Sequence, residues 1–274
     1  MSVYVTRDLV QGSEEWHAAR RGIVTASVVG KLISVGSPDA SEVACPQCGS
    51  VEGVPCISAS RKVPTPIKTH HDARVALASK QPPVYSVADN DTSRAVVATL
   101  VAERIADFTE DLPMTSDMWR GVDSEPIARD LYSRHHAPVE EVGFIRRDER
   151  NWTLGYSPDG LVGDDGLIEI KAPRAKTHVL TILADEVPAH YMPQLQAGLL
   201  VSGRDWIDFV SYCGGLPLWV KRVRPDQRWF DAISDACIAF ETTAAEMVAR
   251  FNNLTSDLPT TERIDFNAVE LKLA

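Results

Sequence analysis

The sequence predicts an α/β chain interrupted by a loop-rich insertion. Apolar residues recur at helical spacing in several stretches, and shorter apolar runs bounded by Gly and Asp read as strands between them. From Gly36 to Asn90 the texture turns to Pro, Ser, Thr and Cys with little period. The expected division is a core over 1–36 and 91–274, with an inserted module over 37–90. The 274 residues suffice for such a core to bury a substantial interior. Hydrophobic residues make up 44% of the chain, yet no apolar run approaches the ~20 residues of a membrane span. Met1 to Val10 lacks the basic and apolar blocks of a signal peptide, so a cytoplasmic protein with no membrane partner is expected. A net charge of -10 argues against non-specific sheathing of nucleic acid, whose affinity comes from neutralising phosphates, and leaves room for a local basic groove.

Ser13 is an N-cap type, Glu14 and Glu15 suit a first turn, and Gly22 closes the helix after Arg21. A second helix is expected from about Thr25 to Ile33. Beyond the insertion, Thr92 or Ser93 caps a helix striped by Val96, Val97, Leu100, Val101, Ile105 and Phe108. Another helix follows Gly121 and carries Glu125, Ala128, Arg129 and Tyr132. Trp152 to Tyr156 and Gly166 to Ala172 read as the arms of a hairpin turned at Gly163-Asp164-Asp165-Gly166. A helix from about Pro193 to Val201 has Pro in its first turn and Gly203 at its end. Strands over Trp206 to Tyr212 and Leu218 to Val223 follow. The last helix starts near Asp226, and Phe230, Ile233, Cys237, Phe240, Ala244, Met247 and Phe251 form its apolar seam, a pattern typical of a core face.

Chemistry concentrates in Ser157-Pro158-Asp159-Gly160 followed by Glu169-Ile170-Lys171. Side chains alternate along a strand, so Glu169 and Lys171 share one face while Ile168 and Ile170 point to the core, with Asp159 leaving the first strand nearby. Two hard oxygen ligands suit a magnesium-class ion, and an ammonium beside them can orient a water or offset charge on a phosphate. Gly121 and Glu125 share a helix face, Gln194 is a polar residue on an apolar helix, and Arg20 to Ser27 joins a basic helix end to a hydroxyl-rich helix start that favours anions.

Among the five cysteines, Cys213 and Cys237 sit alone in apolar surroundings and are expected to be buried thiols, whereas Cys45, Cys48 and Cys56 cluster. Cys45-Pro46-Gln47-Cys48 is a C-x2-C knuckle, Cys56 adds a thiolate, and His70 or His71 completes a tetrahedral zinc site. Arg61, Lys62, Lys68 and Arg74 offer a modest basic patch beside it, so the module reads equally as a fold staple or a DNA contact.

Taken in order, Trp16 to Ser27, Trp119 to Glu125, Ser157 to Lys171 and Tyr191 to Gln196 resemble the lambda-type phage exonucleases, the YqaJ-like viral recombinase family within the PD-(D/E)xK nucleases. The resemblance implies a mixed central sheet flanked by helices. It implies Glu125, Asp159 and Glu169 as acidic residues of a magnesium or manganese site together with the Ile170 carbonyl, Lys171 as the catalytic lysine, and Gln194 as the active-site glutamine. Arg20 and Ser27 match residues that hold a DNA 5′-phosphate, and Tyr191 falls at an aromatic position. Pro193 just before Gln194 and the long insertion depart from the pattern. The segment from Cys45 to Arg74 resembles a phage zinc-binding module whose histidine precedes x-x-Arg, which favours His71.

The function so implied is a metal-dependent 5′ to 3′ exonuclease of double-stranded DNA ends, phage or prophage encoded, leaving 3′ single-stranded tails for recombination. Family members commonly form trimers and work beside a single-strand annealing protein. The competing expectations are an endonuclease of the same superfamily and a catalytically silent, zinc-containing DNA-binding protein.

Overall fold

A computed structural model of the chain describes residues 2–58, 63–110 and 113–263. Ser2–Thr6 forms β1, a strand unread in the sequence pattern. Helix α1 (Glu14–Arg20) begins where the Ser13 hydroxyl accepts the Trp16 amide at 3.2 Å. Gly22 then takes φ +65°, where any Cβ would also collide with the Arg104 side chain. The expected second helix is shorter than its pattern. It consists of β2 (Val24–Thr25), α2 (Ala26–Val29) and a 3₁₀ turn over Gly30–Leu32. A Cβ at Gly30 would press on the Pro193 ring at 3.0 Å, and the β-branched Ile33 and Val35 that follow are extended in β3 (Ile33–Gly36).

The insertion contains β4 (Ile57–Ser58), β5 (Thr65–Pro66) and α3 (Asp72–Ala78), and it ends in β6 (Val84–Val87). Strands β3 and β6 pair antiparallel, Ile33 opposite Val87 and Gly36 opposite Val84, so the chain leaves and re-enters the core at one place. Helix α4 (Asp91–Ala106) starts ahead of the expected caps, because Asn90 and Ser93 exchange hydrogen bonds in a capping box. Leu100 and Val101 of its stripe are buried, whereas Phe108 lies past the helix end and is exposed. Helix α5 (Ser116–His135) runs through Gly121 from a Thr115 cap rather than starting after it.

The remaining elements are β7 (Phe144–Asp148), β8 (Thr153–Tyr156), β9 (Gly160–Val162), β10 (Gly166–Lys171), α6 (Ala175–Ala184), α7 (Met192–Ser202), β11 (Trp206–Ser211), β12 (Trp219–Val223) and α8 (Gln227–Thr255). They complete two four-stranded mixed sheets, ordered β1-β7-β8-β2 and β12-β11-β10-β9. The hairpin differs from the expected one. Its first arm is β9, with Gly166 opposite Val162, while the Trp152 to Tyr156 run supplies β8 of the other sheet. Pro158 has no amide to donate to a ladder, so Ser157 to Asp159 carries the chain between sheets. Gly160 restarts pairing where a Cβ would strike Val139.

Strand β10 is covered on both faces. Leu167 joins a core shared with Leu195 and Leu199 of α7, while Ile168 and Ile170 join Ala128 and Tyr132 of α5. The α8 seam is core through Ala244, beyond which Met247 and Phe251 emerge into solvent. Cys237 is buried as expected; Cys213 is only half-buried, because it follows β11 in the turn toward β12. Among the described residues no helix is long and apolar enough to cross a membrane.

Candidate active site and metal centre

The sequence motifs converge on the end of β10. Glu169 is 1% exposed, with each oxygen held. Its Oε1 accepts the Lys171 ammonium at 2.6 Å and the Gln194 amide at 2.5 Å, and its Oε2 accepts the Tyr156 hydroxyl at 2.8 Å. Pro193 leaves Gln194 in place, since it occupies the first turn of α7 where its missing amide hydrogen is not required. Asp159 docks on the same strand, its Oδ2 accepting the Ile170 amide at 2.5 Å. Glu125 reaches in from α5 and pairs with Arg129 one turn on, and Arg129 also donates to the Asp159 carbonyl at 2.8 Å. Tyr191 lies with its ring 5.6 Å from the Lys171 ammonium.

Crowding of carboxylates in a largely buried site sets the electrostatics. Burial pushes the Asp159 carboxyl well above its usual range, and the neighbouring Glu169 and Glu125 push it further. Burial also raises Glu125, with Arg129 opposing. Burial works against the Lys171 charge, but Glu169 and Asp159 outweigh it, so the amine is held as an ammonium.

Beside this cluster the Arg20 guanidinium donates to the Ser157 hydroxyl at 3.0 Å and to the Ser27 hydroxyl at 3.4 Å. It stacks over the Trp16 ring at 3.9 Å, and the Trp16 indole also donates to Ser157 at 3.0 Å. Burial lowers Arg20 to about 10, with Glu103 opposing, which leaves it cationic at neutral pH. The arrangement gathers a guanidinium, an indole and two hydroxyls around Ser157, two residues from Asp159. Sequence reasoning paired Arg20 with Ser27 and missed Ser157, Trp16 and Tyr156. Ser157 opens the Ser-Pro-Asp-Gly motif, and only the fold reveals that its hydroxyl turns toward α1.

In the insertion, ligand atoms of Cys45, Cys48, Cys56 and His71 all lie within 4.8 Å of one another, and Cys45 Sγ is 3.4 Å from His71 Nδ1. Three soft sulfurs and an imidazole in that compass suit tetrahedral zinc, whose ligands sit ~3.5–4 Å apart. Among the described residues no three carboxylates close in this way. Ser50 and nearby backbone amides lower the Cys48 thiol to about 5, the direction that favours a thiolate ligand. His70 turns instead to Asp39, at 3.8 Å. His71 is the N-cap of α3, so Arg74 stands one turn on and points back under the cysteines. Arg74 is 0% exposed and donates to the carbonyls of Ser41, Val43, Val51 and Val54. Arg74 is therefore withdrawn from the expected basic patch. Arg74 is interior, Lys68 is exposed, and Arg61 and Lys62 lie outside the described residues.

The fold and its site define the class. The chain is similar over 90% of its length to the whole of an alkaline exonuclease from Laribacter hongkongensis, at 26% identity and a TM-score of 0.65. It is similar over the same shares to that exonuclease in complex with dAMP, at 27% identity and a TM-score of 0.63. At the level of sequence families, residues 76–205 match the YqaJ-like viral recombinase domain. Residues 9–89 match the family described as Putative DNA-binding phage zinc finger domain. The chain thus carries a YqaJ-like viral recombinase domain together with a phage zinc-binding domain. A comparison with curated proteins gave no match.

Proposed function

We propose that this chain is a metal-dependent exonuclease that enters at a double-stranded DNA end and degrades the 5′-terminated strand, leaving 3′ tails for phage-type recombination. The observation that carries the reading is the joining of two sites by one short segment. Ser157 belongs to the anion pocket with Arg20, and Asp159, two residues on, belongs to the carboxylate cluster with Glu169. A terminal phosphate held by Arg20, Ser27 and Ser157 would index a nearby phosphodiester against Asp159, Glu169 and Lys171.

The donor set suits a magnesium-class ion, because Asp159, Glu169 and Glu125 bring hard carboxylate oxygens to one place with Lys171 and Arg129 as the cations beside them. Asp159, Glu169, Glu125 and the Ile170 carbonyl would hold it, and when bound it would supply an acidified water and neutralise phosphate charge. Lys171 and Gln194, both anchored on Glu169, orient the attacking water and the phosphate oxygens. Tyr156 holds Glu169 from beneath. The zinc that Cys45, Cys48, Cys56 and His71 would hold serves as a closed structural ion. The division into a core over 1–36 and 91–274 and a module over 37–90 is part of the proposal, supported by the β3–β6 pair that closes the insertion. A homotrimer and a single-strand annealing partner come with the family resemblance and complete the reading.

End selection tests it. A duplex end bearing a 5′-phosphate should be degraded faster than a 5′-hydroxyl end, and Arg20→Ala should erase that difference. An Arg20 variant that still discriminates between the two ends overturns the pocket.

A further inference from the structure

We propose that the zinc module is a protein-docking surface, and that its occupant is a segment presenting one apolar side chain between two Lys or Arg residues. Within residues 37–90 the charges divide into a buried set and an exposed one. Three thiolates and a neutral imidazole around zinc leave a net charge of about -1, and the buried Arg74 guanidinium cancels it from inside. Arg74 is thereby removed from any outer face. Among the described residues the exposed bases of the module are then Lys68 and Lys80, against exposed Asp39, Glu42, Glu52, Asp72 and Asp89. Asp89 is paired with Arg94 of α4, so among the described residues two bases stand against four remaining acids and that surface is acidic. Binding to a phosphate backbone requires the opposite balance.

The same surface has a place for a peptide. An open groove of about 440 Å³ runs between the Pro38 to Ala44 segment and the end of α3, with Val43, Leu77 and Pro82 as apolar lining and Glu42 and Glu52 among its walls. Val51 and Val54 stand exposed on either side of Glu52. Apolar lining with carboxylates at the walls is complementary to an apolar residue flanked by cations, and a DNA backbone offers neither.

A heptapeptide array tests this, with Leu, Phe or Val at the centre and Lys, Glu or Gln in every combination on both flanks. The array is probed with the full-length zinc-loaded protein and with Glu42→Gln/Glu52→Gln, zinc content serving as the control for folding. The Lys-flanked apolar peptides should be selected, and anisotropy with the strongest of them should show about fivefold weaker binding to the double variant, as expected for two rim charges. Affinity for a blunt 20-base-pair duplex, measured on the same two proteins, should agree within about twofold. Failure of the array to prefer Lys over Glu flanks, or equal peptide binding by both proteins, overturns the proposal. A duplex affinity that rises in the double variant also overturns it, by placing this face on DNA.

Discussion

Replacing Arg74 with Met should strip the zinc module of its central strut. The guanidinium is wholly buried and donates to four carbonyls at 2.7 to 3.0 Å, from segments on both sides of the Cys45 to Cys48 knuckle. Each charged hydrogen bond contributes ~1.5–3 kcal/mol, but water reaches some of the freed carbonyls once the module loosens, so ~1 kcal/mol per carbonyl is a fair net figure. Methionine fills much of the vacated volume, and the sum is on the order of 4 kcal/mol, in line with breaking a buried charged network. Because those carbonyls belong to the loops that hold the thiolates, the loss falls on zinc binding, where ~1.4 kcal/mol is one decade. We therefore expect zinc affinity about a thousandfold weaker, measured by competition with a chromophoric chelator, and an intermediate loss for Arg74→Lys, which keeps the charge without the fork of donors. An Arg74→Met protein that retains zinc within about threefold of the parent affinity would refute the reasoning.

Two further perturbations address the carboxylate cluster. In metal-free protein, Asp159→Asn should raise the melting temperature more at pH 8 than at pH 5. A carboxyl whose folded pKa is raised gives full stability below its unfolded pKa and loses it as pH climbs through the folded value, whereas Asn does not titrate. A variant no more stable than its parent across that range contradicts the crowding. Lys171→Ala should leave calcium binding by titration calorimetry intact, because the amine is no ligand, while single-turnover cleavage slows by about 10² to 10⁴. Lost calcium binding with normal cleavage would reverse the roles assigned to Lys171 and Glu169.

The candidate site residues were more legible than the strands that position them. Asp159, Glu169, Lys171 and Gln194 could be read because polar groups at fixed spacing amid apolar runs have few structural uses, and the fold brings them into hydrogen-bonded or electrostatic contact. The sheet assignment of Trp152 to Tyr156 could not be read, since an apolar run carries no record of which neighbour it pairs with. Strand β9 is only Gly160 to Val162, too short to display alternation, and α6 contains Thr177, Val179, Thr181 and Ile182, whose β-branching masks a helix. The Cys and His ligands were plain from spacing, although choosing His71 over His70 needed a family likeness. Arg74 misled for a physical reason: an arginine is counted as surface charge until a full set of carbonyls is seen around it.

The most direct measurement follows both strands of a linear duplex, labelled separately at each 3′ end, beside a closed circle of the same sequence. With magnesium, the account predicts stepwise loss of the 5′-terminated strand from each end, intact 3′-terminated tails and an untouched circle, with all cleavage abolished by chelator or by Glu169→Ala. Cleavage of the circle, loss of strands from their 3′ ends, or undiminished degradation in chelator would contradict it.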